Sequence, residues 1–280
     1  MKKYKFLCLL TMMMVVVGAK AQPNLSGSGT EADPYQISSK TNLATLATYV
    51  NGGNNCEGLY FKVTQDIDYS PASTTTNNFT PIGNDSRNFA GHFDGGGYTI
   101  KGLRYDHSDN SYCGLFGNTS SATIQNVILN NVSIKGLTRV GGIVGHAYAT
   151  TVSNCQVTNA TITGTNSVSY AYGSIGGIVG RKEYGTVSEC VFNGTVSGNK
   201  YIAGIVGYNY YQGYNNPPTT INRCLVINST IGAYDSNVYN LISDSGFENS
   251  YYSGCTLRTT SANNCYVIQL LKNYSITISS

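Results

Sequence analysis

The chain has 280 residues, of which 11% are charged, with no Trp, 32 Gly, 30 Asn and 23 Tyr. A charge fraction far below the roughly one quarter of ordinary soluble domains excludes the Ala-, Leu-, Glu- and Lys-rich make-up of helical bundles and coiled coils. With 41% hydrophobic residues and a formal net charge of only +3, the chain does not read as disordered. Its abundant Gly, Asn, Thr, Val, Ile and Tyr suit short strands joined by tight turns, and the class is all-β.

Lys2, Lys3 and Lys5 precede an apolar run from Phe6 to Val17, and Ala19-Lys20-Ala21 offers a small-x-small cleavage site. The run is shorter than the roughly 20 residues of a membrane span. Residues 1–21 therefore read as a signal peptide cleaved after Ala21, which leaves an exported chain without a transmembrane segment. Four of the 17 basic residues leave with it, so the mature chain carries 13 Lys and Arg against 14 Asp and Glu. No basic stripe remains for nucleic acid or anionic lipid.

Between Ser39 and Asn51, Leu43, Leu46, Ala47 and Val50 fall at helical spacing, closed by Gly52-Gly53. This predicts one amphipathic helix that seals the first coil. A repeat then governs the chain. Four boxes share Gly-apolar-apolar-Gly: Gly114–Gly117, Gly142–Gly145, Gly177–Gly180 and Gly204–Gly207. Each is followed by a strand pattern: Thr123–Val127, Thr151–Cys155, Thr186–Cys190 and Thr220–Cys224. After its last residue apolar side chains recur at +2, +5 and +7, as in Leu129, Val132 and Ile134. The +2 step is strand alternation, and the skip to +5 predicts a turn or bulge. Box spacings of 27, 28 and 35 residues are too short for propeller blades. One repeat per coil of a parallel β-helix is the economical reading, with each coil advancing about 4.8 Å.

The box and its downstream Thr-Ile/Val-x-Asn-Cys strand resemble the bacterial GLUG-motif repeat. Gly27–Leu103 is similar to the segment that precedes such repeats, through Gly29–Ile37, Asp66-Ile67-Asp68, Phe79–Gly83 and Phe93–Leu103. The resemblance implies a right-handed parallel β-helix in exported or surface proteins, adhesins and surface proteases among them, without implying one activity. Residues 22–280 then form a single domain: N-terminal cap and first coils over 22–88, repeat coils over 89–257, and a C-terminal cap over 258–280.

The side chains that carry chemistry are few. Cys155, Cys190 and Cys224 share a position that Val127 also fills, so they read as inward-stacked small hydrophobes. Cys255 and Cys265 are the better candidates for a disulfide in an oxidising compartment. His92, His107 and His146 lie in no His-Glu-x-x-His frame, and no metal, cofactor or catalytic residue is expected. His146 occupies a place filled elsewhere by Asn118, Arg181 and Tyr208, four chemistries that suggest an exposed turn. Asp66 and Asp68 on one side of a strand, with Asp85, Asp94, Asp106 and Asp109 following, are the carboxylates that a β-helical polysaccharide lyase or glycoside hydrolase would need. Two coils carry longer connections. One brings Tyr170 and Tyr172; the other brings Tyr208, Tyr210, Tyr211 and Tyr214. Loops leaving a rigid solenoid are where binding groups sit, and Tyr presents a flat apolar face with a hydroxyl. The expected function is an adhesin-like, secreted or surface binding protein that engages a glycan or protein through its coil face and these tyrosines. A β-helical carbohydrate-active enzyme and a structural envelope component are the alternatives.

Overall fold

The computed structural model describes residues 22–70, 77–166, 173–210, 220–233, 247–248, 251–253 and 256–258. The expected signal peptide and the tail beyond Arg258 lie outside them. The described chain is a parallel β-solenoid with one helix, Lys40–Asn51. Ser39 begins that helix with extended backbone, and its Oγ accepts the Asn42 amide at 3.2 Å. Leu43, Leu46, Ala47 and Val50 form its buried stripe, as their spacing predicts.

The described strands form four sheets, a short one of Val140–Gly141, Ile175–Gly176 and Ile202–Ala203 and three larger walls. The first is an eight-stranded sheet running from Tyr35–Ile37 to Phe247–Glu248, with Thr123–Gln125, Thr151–Ser153 and Thr186–Ser188 among its strands. The second includes Ile128–Asn130, Gln156–Gly164 and Val191–Gly198. The third holds the box strands Phe116–Ser120, Val144–Tyr148, Val179–Glu183 and Val206–Tyr210. Their register pairs Phe116 with Val144, Val144 with Val179, and Val179 with Val206, so successive boxes are direct neighbours. Ile82 bridges to Phe116 and extends this column back to the Pro81-Ile82-Gly83 segment.

Side chains of one type stack along the axis. Ile124, Val152, Val187 and Ile221 make one inner row, and Leu129, Val157, Phe192 and Val226 another, all fully buried. Burying each such side chain contributes roughly 1.5–3 kcal/mol. At the helix end the core is aromatic: Phe89 and Phe116 have ring centroids 5.0 Å apart, and Phe93 meets Phe116 at 5.1 Å. Cys155, Cys190 and Cys224 are buried in the inner row that Val127 begins.

The corners use left-handed backbone. Asn126, Asn154, Glu189 and Arg223, just before that row, have φ of 56°, 50°, 56° and 51°. Asn tolerates this region because its short side chain bonds locally. Here it also bonds along the axis: Asn154 Nδ2 donates to Asn126 Oδ1, and Asn126 Nδ2 to Asp94 Oδ1, each at 2.8 Å. The skip from +2 to +5 is a real irregularity. Asn131 and Asn159 have φ of 52° and 51°, and the ladder register shifts between Val157 and Ala160.

Candidate functional site

The box strands position the chemistry through a break in alternation. Val144 and Ala147 are both buried although three residues apart, and Gly145 makes no register pair between them. A Cβ on Gly145 would lie 2.6 Å from the Arg139 carbonyl oxygen and 2.7 Å from the Cys113 nitrogen. The glycine therefore serves a close approach of backbone, not a left-handed turn. Beyond it, one face of the sheet carries Asn118, His146, Arg181 and Tyr208 in register, and then Ser120, Tyr148, Glu183 and Tyr210. The four chemistries that suggested an exposed turn at His146 sit instead on a strand. They vary because they line an outer wall, where the ladder constrains only the backbone.

This wall is a bonded cluster. His146 Nδ1 lies 3.1 Å from Asn118 Oδ1, and its Nε2 lies 3.1 Å from Glu183 Oε1. Arg181 Nε donates to the same Glu183 oxygen at 2.6 Å. The side chains of His146, Arg181 and Glu183 are only 15%, 9% and 18% exposed. The hydrogen bond to His146, followed by the charge and hydrogen bond of Arg181, pulls the Glu183 carboxyl from its usual 4.5 down to about 2.

Tyrosine rings surround the ions. The Arg181 guanidinium lies 5.3 Å from the Tyr208 ring centroid and 5.0 Å from that of Tyr210, within cation–π range. Tyr201 meets Tyr208 edge-on at 4.9 Å, and Tyr148 meets Tyr184 at 5.5 Å. On the other flank Tyr112 packs edge-on to His146 at 5.7 Å, with the Arg139 guanidinium 4.5 Å over its ring. Tyr112 and Arg139 also line a groove of about 540 Å³ with Asp85, Asp109 and Asn110. A polar groove thus runs into a wall of rings and fixed charges.

Of the predicted binding residues, Tyr208 and Tyr210 are on this wall. They do not sit in a loop leaving the solenoid, as the sequence suggested, because parallel pairing continues through Tyr208–Arg181 and Tyr210–Glu183. Tyr170, Tyr172, Tyr211 and Tyr214 lie outside the described residues, as do Cys255 and Cys265. Sequence reasoning aligned Arg181 with His146 but read the place as a turn, and it missed Glu183, Tyr112, Tyr148, Tyr184 and Tyr201; carrying the same alignment two residues further past each box would have brought Glu183 to this wall. Three of the carboxylates considered for catalysis are engaged locally. Asp66 accepts the Thr99 amide at 2.8 Å, Asp94 the Gly96 amide at 2.8 Å, and Asp68 pairs with Lys101 at 3.1 Å. Among the described residues no group of His, Cys, Asp and Glu could hold a metal ion, and no helix is long and apolar enough to cross a membrane.

Comparison with known proteins places these features. The GLUG motif matches residues 136–163. Halomucin of Haloquadratum walsbyi is 34% identical over 170 residues, 58% of this chain and 2% of halomucin. A protein of Evansella cellulosilytica described as a Gly-rich membrane protein is 29% identical over 136 residues, 47% of this chain and 15% of that protein. The chain thus spans a small part of the length of these relatives. A solved structure from Bacteroides ovatus, described as an immunoglobulin A1 protease, aligns over 90% of this chain and 83% of its own, at 18% identity and a TM-score of 0.49. The chain is a parallel β-solenoid with stacked glycine boxes that carries the GLUG motif over residues 136–163.

Proposed function

We propose that the chain is an exported, surface-displayed binding protein whose box-strand wall engages glycans. The observation that carries this reading is the placement of Tyr208 and Tyr210 in register beside the Arg181–Glu183–His146 cluster. A pyranose ring offers a C–H face to stack on an aromatic ring and hydroxyls around its rim. Tyr rings held by a sheet supply the first partner at low entropic cost. Arg181, Glu183 and His146, already locked together, supply donors and an acceptor that need little reordering on binding. The groove at Tyr112, Arg139, Asp85 and Asp109 continues the surface for further sugar units. The relative described as a membrane protein and the signal-like N-terminus support display at the cell surface.

Glycan-array and calorimetric binding test this. Tyr208→Ala and Tyr210→Ala should each weaken binding about tenfold, in line with loss of one aromatic stacking contact of roughly 1.5 kcal/mol. Circular dichroism should stay unchanged, because both rings are on the outer wall. Tyr98→Ala, which removes an exposed ring at a corner away from the box strands, should bind as the parent does. Equal binding by all three variants, or binding to a protein ligand with no glycan bound, overturns the reading.

A further inference from the structure

Behind the binding wall, the inner side of the same strands holds a different chemistry. The row one residue inward pairs Thr119, Ala147, Lys182 and Asn209 across four coils. Lys182 is 0% exposed and Asn209 1%. The Lys182 Nζ lies 3.3 Å from Asn209 Oδ1 on the next coil. The small Ala147 on the coil before leaves room for the lysine stem.

We infer that Lys182 and Asn209 condense into an amide cross-link between adjacent coils, a modification that the chain performs on itself. The amine lone pair attacks Asn209 Cγ and forms the new C–N bond. A proton passes from the attacking nitrogen to the Asn Nδ2, the Cγ–Nδ2 bond breaks, and ammonia leaves. Oδ1 regains its double bond, and neither oxidant nor co-reactant takes part. The two side chains are held as neighbours by the strand ladder, which replaces a bimolecular encounter by an internal one. Burial lowers the Lys182 amine from 10.5 to about 7, so a large share is the neutral nucleophile near neutrality. Condensation also removes a charge that the apolar interior disfavours. The link closes a loop between Lys182 and Asn209 and pins the Val206–Tyr210 strand to the coil before it.

Peptide mapping of the purified, denatured full-length protein tests this directly. Trypsin cuts after Arg181, Lys200 and Arg223, so the linked form yields Lys182–Lys200 joined to Tyr201–Arg223, lighter by one ammonia than the two separate peptides. The joined species should accumulate faster above about pH 7 than below it. It should be absent from Lys182→Arg and from Asn209→Ala. Cleavage after Lys182 with an unmodified Asn209 in the parent protein after prolonged incubation overturns the proposal. So does conversion of Asn209 to Asp without joining. The readout in the parent protein does not depend on whether either variant folds.

Discussion

Arg181, Lys182 and Glu183 are three consecutive residues with three fates. Arg181 and Glu183 join the outer cluster, and Lys182 enters the core. Strict alternation counted from the buried Val179 would have put Arg181 inside and Lys182 outside. The unpaired Gly180 between them inverts that, as Gly145 does one coil earlier. The sequence shows the charges; it does not show which way the strand resets. The Glu183 carboxyl makes a pH-dependent contribution. Its pKa is lower folded than unfolded, so the unfolded chain binds more protons as pH falls. The stabilisation is present in full above 4.5 and is lost as pH falls towards about 2. Denaturant titrations should show a shallower loss of stability across that window for Glu183→Gln than for the parent. At neutral pH the same variant should be less stable, by somewhat less than the roughly 3–5 kcal/mol seen when one partner of a fully buried pair is removed. Parallel pH profiles for the two proteins would refute this account.

At the scale of the element, each coil is made of short strands that stop at residues able to take left-handed backbone. Asn126, Asn131, Asn154 and Asn159 fill four of these corners. The high Asn content was therefore legible as turns, and the amphipathic helix was legible from Leu43, Leu46, Ala47 and Val50. The box glycines were legible as a repeat but not in their role. At Gly145 the constraint is neighbouring backbone, at 2.6 Å and 2.7 Å from a Cβ, and no flexible side-chain end is there to yield. Gly145→Val should destabilise by about 4 kcal/mol or more, the range reserved for severe core clashes. Thermal unfolding and soluble yield measure it; a melting temperature equal to the parent's would contradict the close approach.

At the scale of the molecule, stability is a chain of neighbour contacts. Each coil buries its inner rows only against the coils on either side. The ladder is continuous through the middle coils, where the box strands Val144–Tyr148 and Val179–Glu183 are each paired on both sides. Hydrogen exchange should therefore be slowest at Val144–Tyr148 and Val179–Glu183 and faster towards both ends of the solenoid. Uniform protection from Tyr35 to Ala233 would indicate a single cooperative block instead. The same stacking explains the cluster on the box-strand wall. Residues 27 to 35 apart in sequence become neighbours about 4.8 Å apart, so rings and charges scattered along the chain converge on one surface.

The sequence by itself determined the all-β class, the coil period, the helix and the inward cysteines, because each is a local or periodic pattern that apolar burial must satisfy. The tertiary structure decided where the Arg181–Glu183–His146 cluster and its tyrosines lie. Which of Arg181 and Lys182 faces out depends on backbone packing at the box glycines, and which residues meet depends on register between coils. Both are set by contacts between distant segments, and no window along the chain contains them.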